Sequence, residues 1–592
     1  MSQNNTELSE NKEIIDLSWH NLTVNVKNKE MYLLNDCNGR APHSKITAIF
    51  GMNGSGKTTL IRSLTGRLSS NLTKRGEVRI ENNIKKTSWT HTIAFVDEDF
   101  TLQKFQTVYE TIHFAIKMLW PKENKVEVKL KTENIIKIVG LTHNTFESVE
   151  NLSQGEQKLL HIGVALAEEP SILILDEPFA FIDFYHMKKL LDLFKRLIKK
   201  NKSIVFSFSN PNDKFVNFID NLIILVNGTT IFEGTYAECK IHFDNCGFKN
   251  EENQNFLEFV HEIISFGSDN EQKCVASLQN ARKIKDKWLE TQRNDIKAST
   301  PIEVDEVPNE DSQKMTLLLK RHFVTIWRNK ELFRWLVIQK IFLFAIACLV
   351  YPLIGFKQRD IETRIGLVSF FIINATERAG IVTIETFEEY RAVTIREIYC
   401  GLYSPSEAYL AKLLYNVSFG FLFSVVYIIP VYWLSNLNDN FWRFVLFMIN
   451  QFTLTNFIVT YAIVIGIYAK DHLMAHLQGS ILFLFFIVFS GIFVNTGTIK
   501  HYIQWLKWVS PMYYAYESNL QVSLSNQRFE SDKESNFETG KEVLDELNIG
   551  KIHYFPALVI QWAFILLFVL IGWYSFLKKY KPKLSIKLED KV

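Results

Sequence analysis

The residues best suited to chemistry lie near the start of the chain. The aliphatic run closing on Ile49-Phe50 leads into Gly51-Met52-Asn53-Gly54-Ser55-Gly56-Lys57-Thr58-Thr59. Glycines at this spacing, between a strand and a helix, turn backbone N–H groups and a helix N-terminus toward an anion. Lys57 can then neutralise a β- or γ-phosphate, and the Thr58 hydroxyl can reach Mg²⁺. This is a P-loop, which taken alone suits several classes of nucleoside triphosphatase. A second motif, Ile172-Leu173-Ile174-Leu175-Asp176-Glu177, is an apolar strand ending in two carboxylates. Asp176 fits the Mg²⁺ shell and Glu177 can polarise an attacking water, although an acidic pair after a strand is otherwise a solvated strand end.

Such groups need a sheet to hold them. Between about 17 and 264, short β-rich runs (45–50, 92–96, 172–175, 203–208, 221–226) alternate with helical stretches, the rhythm of an α/β domain with a largely parallel sheet. From 268 to 314 the chain turns polar and charged, with Pro301 and Pro308, and reads as a linker. Beyond it lie six apolar stretches of about spanning length: 334–356, 366–386, 410–434, 441–468, 473–494 and 556–577. The expected organisation is an α/β P-loop nucleotide-binding domain at 1–267, a polar linker at 268–314, and an all-α six-helix transmembrane domain at 315–592. The lysines Lys578, Lys579, Lys581, Lys583, Lys587 and Lys591 after the final stretch put the C-terminus in the cytosol by the positive-inside rule. An even number of spans returns it to the side of the P-loop domain, so both termini are expected to be cytosolic.

Composition removes other classes. The 592 residues carry 66 basic and 64 acidic side chains, a net charge of +2, which offers no electrostatic footprint for nucleic acid. The six cysteines have neither zinc-ligand nor redox-pair spacing. The polar, acidic N-terminus lacks the features of a cleavable secretory signal.

Leu152-Ser153-Gln154-Gly155-Glu156-Gln157, lying between the P-loop and the acidic pair, resembles the signature of ATP-binding cassettes, and Asp183 falls where that family has its D-loop aspartate. A cassette preceding the membrane domain resembles the G subfamily of ABC half-transporters. Further likenesses are Phe387 to Arg391 with Arg396 to Ser404 (a coupling segment), Trp505 to Tyr514 (a segment after the fifth span) and Gly540 to Leu544 (a last external loop). The resemblance implies ATP and Mg²⁺, with Ser153, Gly155 and Asp183 completing the nucleotide site of a second half-transporter, in a homo- or heterodimer. It also implies export of a lipid-like or amphipathic small molecule across a membrane. The chain departs from the family in having no cysteine in that external loop.

Two departures fall in the cassette. The family's Q-loop glutamine aligns with Glu98, which can still ligate magnesium but cannot donate as an amide does. The switch histidine aligns with Ser209, too short to stabilise charge developing on a γ-phosphate; loss of one such contact costs about 10²–10³ in rate. The aromatic that stacks on adenine aligns with Val24, near Trp19. These are either drift in a tolerant family or the mark of a site that binds ATP and turns it over slowly. In the latter case the chain would be the hydrolysis-impaired subunit of a heterodimer. In the membrane half, Glu377 and Arg378 sit inside the second stretch, where ionisable groups line a cavity or bond to neighbouring helices. Ile492 and Phe493 match an apolar plug, or are ordinary helix packing.

Overall fold

The computed structural model describes residues 15–27, 31–68, 71–82, 92–98, 101–211, 213–250, 254–264, 271–291, 312–495, 498–530, 537–550 and 552–580. The chain divides into two units, one drawn chiefly from residues 1–310 and one chiefly from 311–581.

The first unit holds nine described strands. β1 (Ile15–Val26), β2 (Tyr32–Ala41) and β4 (Leu72–Asn82) form an antiparallel sheet in the order β2-β1-β4. β3 (Ile46–Phe50), β5 (Ile93–Val96), β6 (Ile172–Leu175), β7 (Ser203–Phe208), β8 (Asn221–Val226) and β9 (Thr229–Gly234) form the second sheet, ordered β5-β6-β7-β3-β8-β9. All neighbours in it are parallel except β8 and β9. Every residue of β3, β5, β6, β7 and β8 is buried. That is why these strands read as unbroken apolar runs: a parallel sheet is covered on both faces. The order β6-β7-β3 places the loops that leave the C-terminal ends of three adjacent strands side by side, which is where ligands bind in open α/β sheets.

The helices of this unit are α1 (Lys57–Leu64), α2 (Val108–Leu119), α3 (Lys125–Val139), α4 (Gln154–Leu166), α5 (Phe184–Ile198), α6 (Tyr236–Asn245), α7 (Phe256–Ile264) and α8 (Glu271–Thr291). The last of these lies inside the segment expected to be a polar linker. It presents Ala281, Ile284 and Trp288 to the protein, while Lys287 Nζ donates to Asn245 O and a His242 ring nitrogen meets Ile284 O. Three apolar side chains along one face suffice to dock a helix whose remaining positions are polar.

The second unit is helical: α9 (Ser312–Arg328), α10 (Lys330–Val350), α11 (Gln358–Tyr399), α12 (Pro405–Leu434), α13 (Phe441–Tyr468), α14 (His472–Val488), α15 (Pro511–Leu524), α16 (Gly540–Glu546) and α17 (Tyr554–Tyr580). Among the described residues five segments are long and apolar enough to cross a membrane: Lys330–Val350, Gln358–Phe387, Pro405–Leu434, Phe441–Tyr468 and Tyr554–Tyr580. The expected count of six is therefore not reached by length. The stretch 473–494 yields a helix of only 17 residues, about 25 Å long against a hydrocarbon core of about 30 Å. It stops at Val488, and Gly491 adopts φ 95°. The coupling segment expected after the second span is in part that same helix, since α11 runs on for 42 residues. It is followed by Gly401 at φ 71° and by Ser404, which caps α12 in a capping box with Glu407.

Candidate nucleotide site

The P-loop leaves β3, and its conformation depends on its glycines. Gly54 and Gly56 adopt φ 83° and 103°, a left-handed backbone that side chains disfavour. A Cβ on Gly51 would come within 2.5 Å of Leu225 O, and one on Gly56 within 2.9 Å of Leu33 O. Gly51 through Thr59 thus form a tight loop that runs directly into α1, as the sequence pattern requires. Lys57 is buried beneath it, Nζ donating to Gly51 O (2.8 Å) and Met52 O (3.0 Å).

Asp176 and Glu177 follow β6. Asp176 is fully buried; its Oδ1 accepts from Ser207 Oγ (2.5 Å), whereas its Oδ2 has no protein partner. Ser55 Oγ in the P-loop is likewise buried without a partner. A buried carboxylate oxygen left open beside a phosphate-type loop fits an oxygen-ligated Mg²⁺, because a buried polar atom with no other partner is costly. Glu177 takes φ 42°. Its backbone N–H donates to Ser207 Oγ (2.9 Å), its Oε2 accepts from the backbone N–H of Ser209 (3.2 Å), and its Oε1 lies 3.4 Å from Lys57 Nζ. Lys57, Asp176, Glu177 and Ser209 are therefore one cluster. Ser207 is the member that sequence reasoning missed, signalled only by a hydroxyl within the wholly buried strand β7.

Glu98 is half-buried at the end of β5. Its carbonyl and that of Asp97 accept from Lys158 Nζ on α4 at 3.1 and 3.2 Å. This buried lysine, also unanticipated, ties the Glu98 segment to the signature helix.

Ser153, Gly155 and Asp183 make a second cluster. Ser153 caps α4, exchanging hydrogen bonds with Glu156. Gly155 is where the His186 ring closes on the helix; a Cβ there would meet it at 2.4 Å. Asp183 caps α5 and accepts from both the backbone N–H and the ring of His186 at 2.8 Å. The hydrogen bonds from His186 hold its carboxyl below the usual range. Among the described residues no hydrogen bond or ion pair joins this cluster to Lys57 or Glu177.

Val24 and Trp19 are wholly buried, so neither offers a face to an adenine ring. Beside the P-loop, Leu33 runs against Gly56, and Tyr32, the residue before it, is 57% exposed. In the second unit, Ile492 and Phe493 lie in the turn beyond α14 rather than inside a span. Phe493 is 63% exposed and Ile492 N–H donates to Ser490 Oγ. The side chains of Glu377 and Arg378 lie outside the described residues. Among the described residues Cys37, Cys239, Cys246, Cys348 and Cys400 form no disulfide.

Comparison with known proteins agrees with this arrangement. Residues 34–180 match the ABC transporter family and 313–523 the ABC-2 type transporter family. The chain is 25% identical over 603 residues to ABC transporter G family member 7 of Arabidopsis thaliana, covering 97% of this chain and 83% of that relative. It is 26% identical to ABC transporter G family member 23 of the same plant, over 92% of this chain and 89% of the relative. It is 24% identical to ATP-binding cassette sub-family G member 5 of Homo sapiens, over 72% and 68%. A cassette followed by an ABC-2 membrane domain, with G-family relatives matched along nearly its whole length, makes this chain a member of the ABC transporters, a half-transporter of the G subfamily that couples ATP hydrolysis to transport.

Proposed function

We propose that the chain works as one half of a dimer and that the nucleotide site built on its own Lys57 and Glu177 is slow. ATP would lie on Gly51 to Thr59, with Lys57 on the phosphates and the exposed ring of Tyr32 toward the adenine. Thr58 and Asp176 would hold Mg²⁺, which supplies charge neutralisation at the phosphates. Glu177 orients the attacking water. The observation that carries the weakened reading is the contact at Ser209: it reaches Glu177 through its backbone N–H alone, and its hydroxyl is too short to do what a histidine does for developing phosphate charge. Glu98 adds a carboxylate where the family's amide would donate.

The second cluster supports an asymmetric role. Ser153, Gly155 and Asp183 keep the family's residue types on capped helix ends, so they can complete a competent site on a partner's cassette. This favours a heterodimer whose other half carries the glutamine and histidine absent here. The cassette and both termini would face the cytosol, and the cargo would be a lipid-like or amphipathic small molecule drawn from the membrane, with Glu377, Arg378, Ile492 and Phe493 along its path.

The test is ATPase activity of the purified chain in lipid nanodiscs, wild type beside Glu177→Gln, with ATP binding measured in parallel. The proposal expects binding with turnover at least 10²-fold below that of an ordinary transporter, the order set by one lost charge-stabilising contact. Fast turnover abolished by Glu177→Gln would instead establish a self-sufficient homodimer.

A further inference from the structure

In the proposed dimer the two clusters of the cassette serve different nucleotides. One buried side chain joins the elements that carry them. Lys158 lies on α4, five residues and roughly 7.5 Å along the helix axis from Ser153, whose side chain caps that helix. It is 2% exposed, and its Nζ donates to the carbonyls of Asp97 (3.2 Å) and Glu98 (3.1 Å) at the end of β5.

The turn it holds is fixed from two other sides. The carbonyl of Val96, one residue earlier, accepts from the backbone N–H of Asp176 at 2.9 Å, which continues the parallel pairing of β5 with β6 past Val96 and Leu175. The Asp97 carboxylate accepts from Arg62 Nη2 on α1, 3.2 and 3.3 Å from its two oxygens, and its Oδ1 also accepts from Glu98 N–H at 3.0 Å. Three successive residues, Val96 to Glu98, are thus bonded to the strand end that carries Asp176, to the helix that starts at Lys57 and to the helix that Ser153 caps.

These bonds differ in how far they can yield. Arg62 is 44% exposed and Asp97 31%, so water competes for their ion pair. Lys158 is shut off from water. A hydrogen bond from an ammonium is roughly twice as strong as a neutral one, and releasing it here would leave a buried charge without its acceptors. The 13-residue helix α4 carries a shift at one point along its length, so Ser153 and the Val96–Glu98 turn move together.

We propose that Lys158 is a positioning residue that ties the placement of the signature cluster, offered to a partner's nucleotide, to the occupancy of this chain's own site. Asp176 and Lys57, once they hold Mg²⁺ and nucleotide, fix the end of β6 and the start of α1. The turn follows through Asp176 N–H and Arg62, and Lys158 passes the shift to α4. The inference rests on the assignment of the two clusters to two different nucleotides, and not on how fast either is hydrolysed.

The test is hydrogen exchange, read by mass spectrometry, on the full chain in lipid nanodiscs with and without saturating Mg-ADP, which loads the P-loop but has no γ-phosphate for a partner's signature to meet. In the wild type, ADP should slow exchange at amides 59–64 of α1. It should also slow exchange at amides 157–162 of α4 by about fivefold or more, the lower end of ordinary coupling between sites. Lys158→Met keeps the apolar stem and loses the charge; it should retain the protection of α1 and lose that of α4. Asp97→Ala frees the turn from α1 and removes the acceptor of Glu98 N–H. It should reduce the α4 effect at least about twofold, which keeps the test decisive if Lys158→Met folds poorly. Protection of α4 that is absent in the wild type while α1 is protected, or undiminished in both variants, would overturn the proposal. So would an equal loss on α1 and α4 in Lys158→Met, since Lys158 would then support the fold and nothing more. Fast turnover in the ATPase assay would overturn the slow-site reading alone, because the exchange measurement involves no hydrolysis.

Discussion

Replacing Arg321 by Met should destabilise the helical unit far more than an ordinary polar substitution. Arg321 on α9 and Glu397 on α11 form a two-pronged ion pair, Nη1–Oε1 2.8 Å and Nη2–Oε2 2.7 Å, with both side chains 5% exposed. Tyr403 OH donates to Glu397 Oε2 at 2.6 Å, and an Arg396 guanidinium nitrogen stands 3.6 Å from Oε1. Removing one partner of a buried pair strands the other charge and costs about 3–5 kcal/mol. At roughly 2–4 °C per kcal/mol for a unit of this size, the midpoint should fall by roughly 6–20 °C. The assay is thermal unfolding of the purified chain in detergent, in a Tyr403→Phe background so that no phenol is left without its acceptor. Glu397→Leu should cost a similar amount, and Arg321→Met with Glu397→Leu should recover most of either loss, because removing both ions removes the desolvation penalty as well. The sign of the pH dependence follows from the same contact. Burial pushes the Glu397 carboxyl up, but Arg321, with Arg396 and Tyr403, outweighs it and the group is held below the usual range. The stabilisation is therefore complete above the unfolded carboxylate pKa, is lost only as pH falls through the lower folded value, and does not change between pH 6 and 8. Single substitutions costing under about 1 kcal/mol, or a double variant as damaged as the sum of the two, would refute the reasoning.

In the cassette, Ser207→Ala removes the donor to Asp176 Oδ1 and the acceptor of Glu177 N–H; chemical unfolding should show a loss of about 1.5–3 kcal/mol, and Mg²⁺-dependent ATP binding should weaken with it. Glu168 is 4% exposed and its Oε2 has no partner; burial, partly offset by Arg67, pushes its carboxyl up to about 8. A folded pKa above the unfolded one means that stability falls as pH rises between roughly 4.5 and 8, by a few kcal/mol, so Glu168→Gln should flatten denaturation midpoints over pH 5–8 and be the more stable form at pH 8. Gly39→Ala places a Cβ 2.4 Å from the wholly buried Trp19 ring; unfolding should register a loss of about 1–3 kcal/mol, partly restored by Trp19→Phe.

What the sequence discloses and what it hides divide along the range of the interactions involved. The P-loop and the Asp176-Glu177 pair are readable because their chemistry is local. Glycines at Gly54 and Gly56 are demanded by their own φ, and an all-apolar strand before an acidic pair states its own burial. Ser207 is hidden because its role comes from strand order: only when β7 lies between β6 and β3 does one hydroxyl serve both Asp176 and Glu177. Lys158 is hidden likewise, its partners lying some 60 residues away in sequence. The helix Glu271–Thr291 escapes notice because, among its described side chains, few apolar ones, Ala281, Ile284 and Trp288, are buried on its inner face amid charged neighbours. The early end of α14 escapes because apolar residues continue past Val488 while Gly491 and the Ser490 hydroxyl redirect the backbone. Hydropathy measures whether a stretch can sit in lipid, and says nothing of where its helix stops. The same division explains why Lys412 is silent in the sequence. A lysine one turn inside a span boundary reads as one that snorkels to the interface, and only packing against Tyr390, Tyr415 and the Thr386 carbonyl reveals that this one is buried.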